Sequence, residues 1–267
     1  MTRDTRHAGR ETASHHMLAK FQCAAVIPCL NEAAAIPALV REVGQQLRQE
    51  CARLAAAPMS TMDPAPNPLV IVVDDGSADD TAQSAKSAGA WVLRHPHPRG
   101  KGAALKTGLR EAQRLGFRQA LLLDGDGQHA PGDIPAFFHC YRQTQAQLII
   151  GNRMSHAERM PWLRRMVNRW MSRHLSKLAG RPLPDSQCGF RMVELKTWAG
   201  LSMQAEHFEI ESEMLLAFVN AGARIEFVPI QVIYRSERSK IHPCRDTWRW
   251  LRWLRQWRRE GARRKTG

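Results

Sequence analysis

Along the first 151 residues, short runs of consecutive apolar positions alternate with longer stretches of helical periodicity. The apolar runs are Cys23 to Pro28, Leu69 to Asp74, Trp91 to Arg94, Ala120 to Leu123 and Leu148 to Gly151. Each is four to six residues long and apolar without alternation, save the charged residues Asp74 and Arg94 that end two of them, as expected of strands buried on both faces. Between them the pattern predicts helices over Glu32 to about Ala57, from Asp79-Asp80-Thr81 onward, over Ala103 to Leu115, and from Pro131 onward. The order β-α-β-α-β-α-β-α-β predicts an α/β fold with a mostly parallel central sheet flanked by helices. Ligands of such sheets bind at the carboxyl ends of the strands. Asp74-Asp75 and Asp124-Asp126 both stand there and are expected to converge on one site.

The second half reads differently. The pattern predicts an amphipathic basic helix over Trp162 to Leu178, a loop from Asp185 running into a short strand at Arg191, and a helix over Glu209 to Asn220. A strand over Ile225 to Tyr234, interrupted at Pro229, precedes a Trp/Arg-rich helix over Arg245 to Arg259. Residues 1–20 are polar, lack the apolar centre of a signal peptide and are expected to form a disordered leader outside the fold. Residues 58–68 hold four prolines and read as a surface insertion. The expected organisation is therefore one catalytic-size domain over 21–243 and a basic helix and tail over 244–267. No run of about 20 apolar residues occurs, so no membrane-crossing helix is expected.

Composition adds two points. The six cysteines form no C-x-x-C pair, which fits reduced, cytoplasmic chemistry and neither a disulfide framework nor a zinc site. The 39 Lys and Arg outnumber the 25 Asp and Glu, giving a formal net charge of +14. That charge predicts an anionic partner: nucleic acid, a phosphorylated substrate or an acidic lipid surface. No helix-turn-helix, zinc finger or RNA-binding motif is present, so a nucleic-acid-binding protein is the competing reading and no nucleic acid is expected as partner.

Candidate chemistry centres on Leu123-Asp124-Gly125-Asp126-Gly127-Gln128. The strand delivers Asp124 to its end, and the glycines let the chain turn so that Asp126 returns beside it. Two such carboxylates can share a hard divalent cation, Mg2+ or Mn2+, leaving positions for phosphate oxygens, and Gln128 can add a ligand. An EF-hand would need Gly and Glu where His129 and Pro135 stand, and no P-loop accompanies the motif. A plain Asp/Gly surface turn stays open on this motif alone. Asp75 can accept hydrogen bonds from a base or ribose, or it can simply cap a helix. The loop Pro28-Cys29-Leu30-Asn31-Glu32 reads either as a helix start or as a wall around a nucleoside. Arg99-Gly100-Lys101-Gly102 opens a helix, where amides and a lysine suit an anion.

In order and spacing these runs resemble glycosyltransferase family 2. The matching segments are VIPCLNE (26–32), VVDDGSADDT (72–81), GKGAALKTG (100–108), LLDGDGQHAPGDIP (122–135), GNR (151–153), CGFR (188–191) and SKIHPCRDT (239–247). Within the family the likeness is to the dolichyl-phosphate mannose synthase and polyprenyl-phosphate glycosyltransferase branch. The resemblance implies a GT-A fold and an inverting hexosyltransferase that uses GDP-mannose or a UDP-sugar as donor. Polyprenyl phosphate is the implied acceptor, and a sugar or lipid hydroxyl the alternative. It implies a cation held by Asp124, Asp126 and Gln128, and donor contacts from Pro28, Asn31, Glu32, Asp75, Lys101, Gly102 and Asp124. It also implies phosphate contacts from Arg153, Arg169, Arg235 and Lys240.

A phosphate acceptor needs no general base. For a hydroxyl acceptor Asp185 ranks ahead of Glu209 and Glu211. The Trp and Arg residues of the last helix suit an anionic membrane surface, or equally a Trp face packed on the domain. The corresponding location is cytoplasmic, peripheral on the inner face of the membrane.

Overall fold

The computed structural model describes residues 23–55, 70–233 and 243–263. The leader, the proline-rich segment, Arg235 and Lys240 lie outside the described residues. Strands β1 (Cys23–Cys29), β2 (Val70–Asp74), β3 (Trp91–Arg94), β4 (Gln119–Leu122) and β5 (Leu148–Asn152) fall on the five apolar runs. Helices α1 (Ile36–Ala55), α2 (Thr81–Ser87), α3 (Lys101–Arg114) and α4 (Ile134–Thr144) connect them. Helix α1 begins four residues later than the pattern predicts. The peptide groups of Asn31, Glu32 and Ala33 are drawn off to the β2–α2 loop, where their amides donate to Ser77, Thr81 and Asp79.

The remaining elements are α5 (Trp162–Ala179), β6 (Arg191–Glu194), α6 (Leu195–Ala199), α7 (Ile210–Asn220), β7 (Ile225–Pro229) and α8 (Pro243–Arg263). Among the described residues the sheet has seven strands in the order β3-β2-β1-β4-β6-β5-β7. The pairs β3-β2, β2-β1, β1-β4 and β5-β7 are parallel, while β6 runs antiparallel between β4 and β5. The last strand stops at Pro229, where proline cannot donate to a ladder, and the chain then makes a single bridge between Val232 and His129.

Every residue of β1, β2 and β4 is buried, which is why their sequences show no alternation. Helix α3 lies flush on β1 because Gly108 stands where any Cβ would collide with Val26. Strand β1 carries β2 on one side and β4 on the other, with Cys29 level with Asp74 and Val26 level with Leu122. The carboxyl ends of these three strands, with both acidic clusters, therefore open on one edge.

Candidate active site

Just past β4 the chain turns at Gly125. Its α-carbon lies so close to β1 that a Cβ would stand 2.5 Å from Cys29 Sγ and 3.1 Å from the Pro28 carbonyl. Pro28 is accordingly buried in β1, beneath the turn. On the far side of this turn Asp126 receives the Gln128 amide on Oδ1 at 3.0 Å. The Asp124 amide donates to His129 Nδ1 at 3.2 Å, which leaves that nitrogen unprotonated. His129 is buried against Phe190, and burial pushes its pKa down against the pull of Asp124 and Asp126.

Asp124 and Asp126 feel one another. Burial raises the Asp126 pKa, and the Asp124 charge raises it further. Burial alone would raise Asp124 as well, but Lys101, His129 and Arg153 overcome it and hold this carboxyl down at about 2. Lys101 Nζ is 2.5 Å from Asp124 Oδ1 and 2.5 Å from Glu211 Oε1. Its own pKa would fall with burial, and these two carboxylates raise it instead.

Lys101 reaches Asp124 because Asp75 fixes the start of α3. The Asp75 carboxylate accepts the Arg99 amide at 3.0 Å and the Gly100 amide at 2.7 Å, and it meets His95 Nδ1 at 2.6 Å. The next amides, Gly102 and Ala103, donate to the Glu206 carbonyl at 2.7 and 3.2 Å. The α3 N-terminus was expected to hold a ligand anion; in the structure these amides hold Asp75 and a backbone carbonyl. The favourable positive end of the helix thus joins the two acidic clusters from inside, and Gly102 is committed to the α6–α7 loop. Asn31, at φ 52°, accepts the Ala78 amide on Oδ1 at 2.9 Å. With Glu32 it clasps the β1–α1 loop to the β2–α2 loop at the same edge.

Arg153 follows β5 and has a side chain 16% exposed. Asp185 is fully buried and accepts Arg153 Nε at 2.7 Å, Arg153 Nη2 at 2.8 Å and the Arg153 amide at 3.1 Å, together with Asn168 Nδ2 at 3.0 Å and the Gln187 amide at 3.3 Å. Burial raises the Asp185 pKa, and Arg153 with these donors more than reverses the effect. Such a carboxylate is poorly placed to take a proton from a substrate, so the ranking of Asp185 as first candidate base finds no support in its geometry. Arg169 is exposed on α5, away from this cluster's hydrogen bonds.

Two contributors, Glu213 and Arg191, escaped the sequence reading, and a third, Glu211, has a different role from the one it was given. Glu211, ranked behind Asp185, is the carboxylate that meets Lys101. Glu213 accepts the Gln204 and Ala205 amides and so fixes the loop against which α3 starts. Arg191, 1% exposed, donates to the carbonyls of Cys188, Ser186 and Glu211 and ties β6 to α7. A charged residue at the head of a buried strand was the available signal for Arg191, because such a group must find partners.

Among the described residues no group of three His, Cys, Asp or Glu side chains is arranged to hold a metal ion. The donor set is instead two mutually repelling carboxylates on one turn, one of them already neutralised by an ammonium group. That set fits a hard divalent cation bound through one or two carboxylates, with its remaining ligands supplied by phosphate and water.

The family model for glycosyl transferase family 2 matches residues 24–196, well over half of the chain. The chain belongs to glycosyl transferase family 2. This family 2 transferase is 30% identical over 187 residues to the UDP-N-acetylglucosamine–dolichyl-phosphate N-acetylglucosaminyltransferase of Methanococcus voltae, covering 62% of this chain and 74% of that one. It is 28% identical over 184 residues to the undecaprenyl-phosphate mannosyltransferase of Micrococcus luteus, covering 65% and 75%. In fold it is similar to glucosyl-3-phosphoglycerate synthase of Mycobacterium tuberculosis, solved with Mn2+, UDP-glucose and phosphoglyceric acid. The TM-score is 0.60 and the identity 20%, with 89% of this chain and 79% of that one covered. The GT-A architecture expected from the resemblance is thereby shown, with a seven-stranded sheet of mostly parallel strands.

Proposed function

We propose that this family 2 transferase moves a hexosyl unit from GDP-mannose or a UDP-sugar to polyprenyl phosphate, with inversion at the anomeric carbon. The names of the Methanococcus and Micrococcus relatives support the lipid-phosphate acceptor. The observation that carries the choice is the state of the carboxylates around Asp124. Asp185 is saturated by Arg153 and Glu211 is engaged with Lys101, so two of the three candidate bases, the first-ranked among them, are already committed. A phosphate acceptor is already anionic and needs none; a lipid or sugar hydroxyl would.

In this reading Asp124 and Asp126, with Gln128 beside them, hold Mg2+ or Mn2+ together with the donor diphosphate. Bound there, the cation supplies Lewis-acid stabilisation of the charge on the departing nucleoside diphosphate. Arg153, clamped by Asp185, contributes a preorganised positive charge. The loops at Asn31–Glu32 and Asp75 enclose the nucleoside, Pro28 supports them from below, and Lys101 meets the diphosphate. Arg235 and Lys240 are assigned to the acceptor phosphate by family resemblance. Arg169 is assigned to the lipid side, since α5 presents exposed Trp162, Leu163 and Met166 among five basic residues and no acidic one. That composition suits the surface of an anionic membrane, and we place the enzyme there, peripherally, on the cytoplasmic face.

The test is a screen of UDP- and GDP-sugars with Mn2+ or Mg2+, using a short polyprenyl phosphate and the matching alcohol as acceptors. Transfer to the phosphate is expected. Equal transfer to the alcohol would refute the acceptor assignment, and donor turnover by a folded Asp126→Ala variant would refute the metal assignment.

A further inference from the structure

Lys101 and Glu211 make an arrangement that binding of a diphosphate does not by itself require. The Lys101 side chain is 14% exposed and the Glu211 side chain 6% exposed. One ammonium thus serves two carboxylates, with Glu211 on the buried side and the Asp124 side chain 30% exposed toward the opening. Glu211 Oε2 is buried with no hydrogen-bond partner, and the buried Arg191 spends its hydrogen bonds on backbone carbonyls. The floor is close: a Cβ on Gly189 would stand 2.9 Å from both Asp124 oxygens and 3.0 Å from Lys101 Nζ. The Phe208 ring lies 5.7 Å from the same ammonium.

We propose that Lys101 is an internal counter-ion that closes Asp124 to free divalent cations and yields it only when a nucleoside diphosphate enters. Glu211 is a positioning residue that shares the ammonium with Asp124 and so tempers its hold on that carboxylate. The inference rests on the metal reading given above. A cation arriving alone must displace the ammonium from Asp124 and then stand beside it, because Glu211 keeps the lysine within reach, and the two positive charges repel. A diphosphate offers the ammonium a new anionic partner, and a lysine is a compact point charge on a flexible stem, suited to such an exchange. Metal and nucleotide therefore bind cooperatively, and by linkage each strengthens the other by the same factor.

The experiment measures Mn2+ retained with the full chain by ultrafiltration, alone and with GDP or UDP. The wild-type protein is expected to hold Mn2+ weakly alone and far more tightly with the nucleoside diphosphate. Lys101→Met is expected to raise the affinity for Mn2+ alone about tenfold or more, within the usual range of site-to-site coupling, and to shrink the enhancement by nucleotide. Glu211→Gln, which keeps the side-chain shape, is expected to act the opposite way and weaken the binding of Mn2+ alone, because Lys101 then has Asp124 to itself. This second variant carries the test if Lys101→Met does not fold. Nucleotide-dependent Mn2+ retention with no change in Mn2+-only affinity in the folded variants overturns the counter-ion role and leaves the metal site standing. Failure of the wild-type protein to retain Mn2+ with either nucleotide overturns both.

Discussion

Arg153 and Asp185 stand 32 residues apart and meet as a bidentate pair in a buried pocket. Breaking such a pair by removing one charge costs about 3–5 kcal/mol, because the other is left without compensation. Asp185→Asn is therefore expected to lower stability by about that amount at neutral pH, measured by urea denaturation. The pH dependence has a definite sign. The Asp185 pKa is lowered in the folded state, so its contribution is fully present above the ordinary carboxylate value of about 3.9 and is lost as pH falls through the lowered folded value. The gap between wild type and Asp185→Asn should accordingly narrow in acid; a constant gap would mean that the aspartate's charge is not what stabilises the pair. At Gly189 the space above the backbone is already filled by Asp124 and Lys101. Gly189→Ala should displace both side chains with little change in melting temperature, and a misplacement of about 1 Å costs on the order of 100-fold in turnover. Normal activity in that variant would separate the Gly189 floor from catalysis.

At the scale of elements, α5 and α8 divide the work that their sequences leave ambiguous. Trp250 is 2% exposed and donates from Nε1 to Ser212 Oγ at 2.9 Å, while Leu254 is 4% exposed. The Trp250 ring also meets Trp170 of α5 at 5.4 Å. Helix α8 thus packs its Trp250 and Leu254 face on α5 and α7. Trp248 faces outward, with the Arg252 guanidinium over its ring. Trp250→Ala is expected to cost about 3–5 kcal/mol, the usual range for a buried Trp, and to lower the melting temperature sharply. Replacing Trp162, Leu163 and Met166 together by Ser should leave the melting temperature nearly unchanged, since all three are exposed. If α5 is the lipid-facing element, the same triple variant loses binding to anionic liposomes; retained binding would move that contact elsewhere.

For the whole molecule, the sheet order gathers groups from the loops after β1, β2, β3, β4 and β5 onto one edge, while α5 and α8 carry many of the basic residues. None of the helices among the described residues is long and apolar enough to cross a membrane. If the proposed membrane contact runs through the basic faces of α5 and α8, it is electrostatic in large part. Binding to anionic liposomes should fall steeply as ionic strength rises toward 1 M, where the screening length shrinks to about 3 Å. Salt-independent binding would point to insertion of apolar side chains instead. The same charge makes nucleic acid the natural control, and specific nucleic-acid binding without donor turnover would favour the competing reading.

The succession of strands and helices through Gly151 was legible in the chain because continuous apolar runs and helical periodicity are local patterns, each residue reporting on its own neighbours. The Asp124-Gly125-Asp126 turn was legible for the same reason. Strand β6 was legible as a strand but not in direction: four residues do not encode whether they enter the sheet parallel or antiparallel, and burial between β4 and β5 decides it. Helix α8 has the same amphipathic pattern whether its tryptophans meet lipid or protein, and only the fit against Trp170 and Ser212 shows that Trp250 meets protein while Trp248 stays outside. Asp185 reads as any loop aspartate until Arg153 and Asn168 enclose it. Lys101, Asp124 and Glu211 come from three distant segments, and their shared charge exists only once α3, β4 and α7 are packed. Local propensity thus determined which elements form and where the acidic turn lies; tertiary packing, through burial and the pairing of charges it forces, decided which carboxylates face the site and which are consumed in holding it.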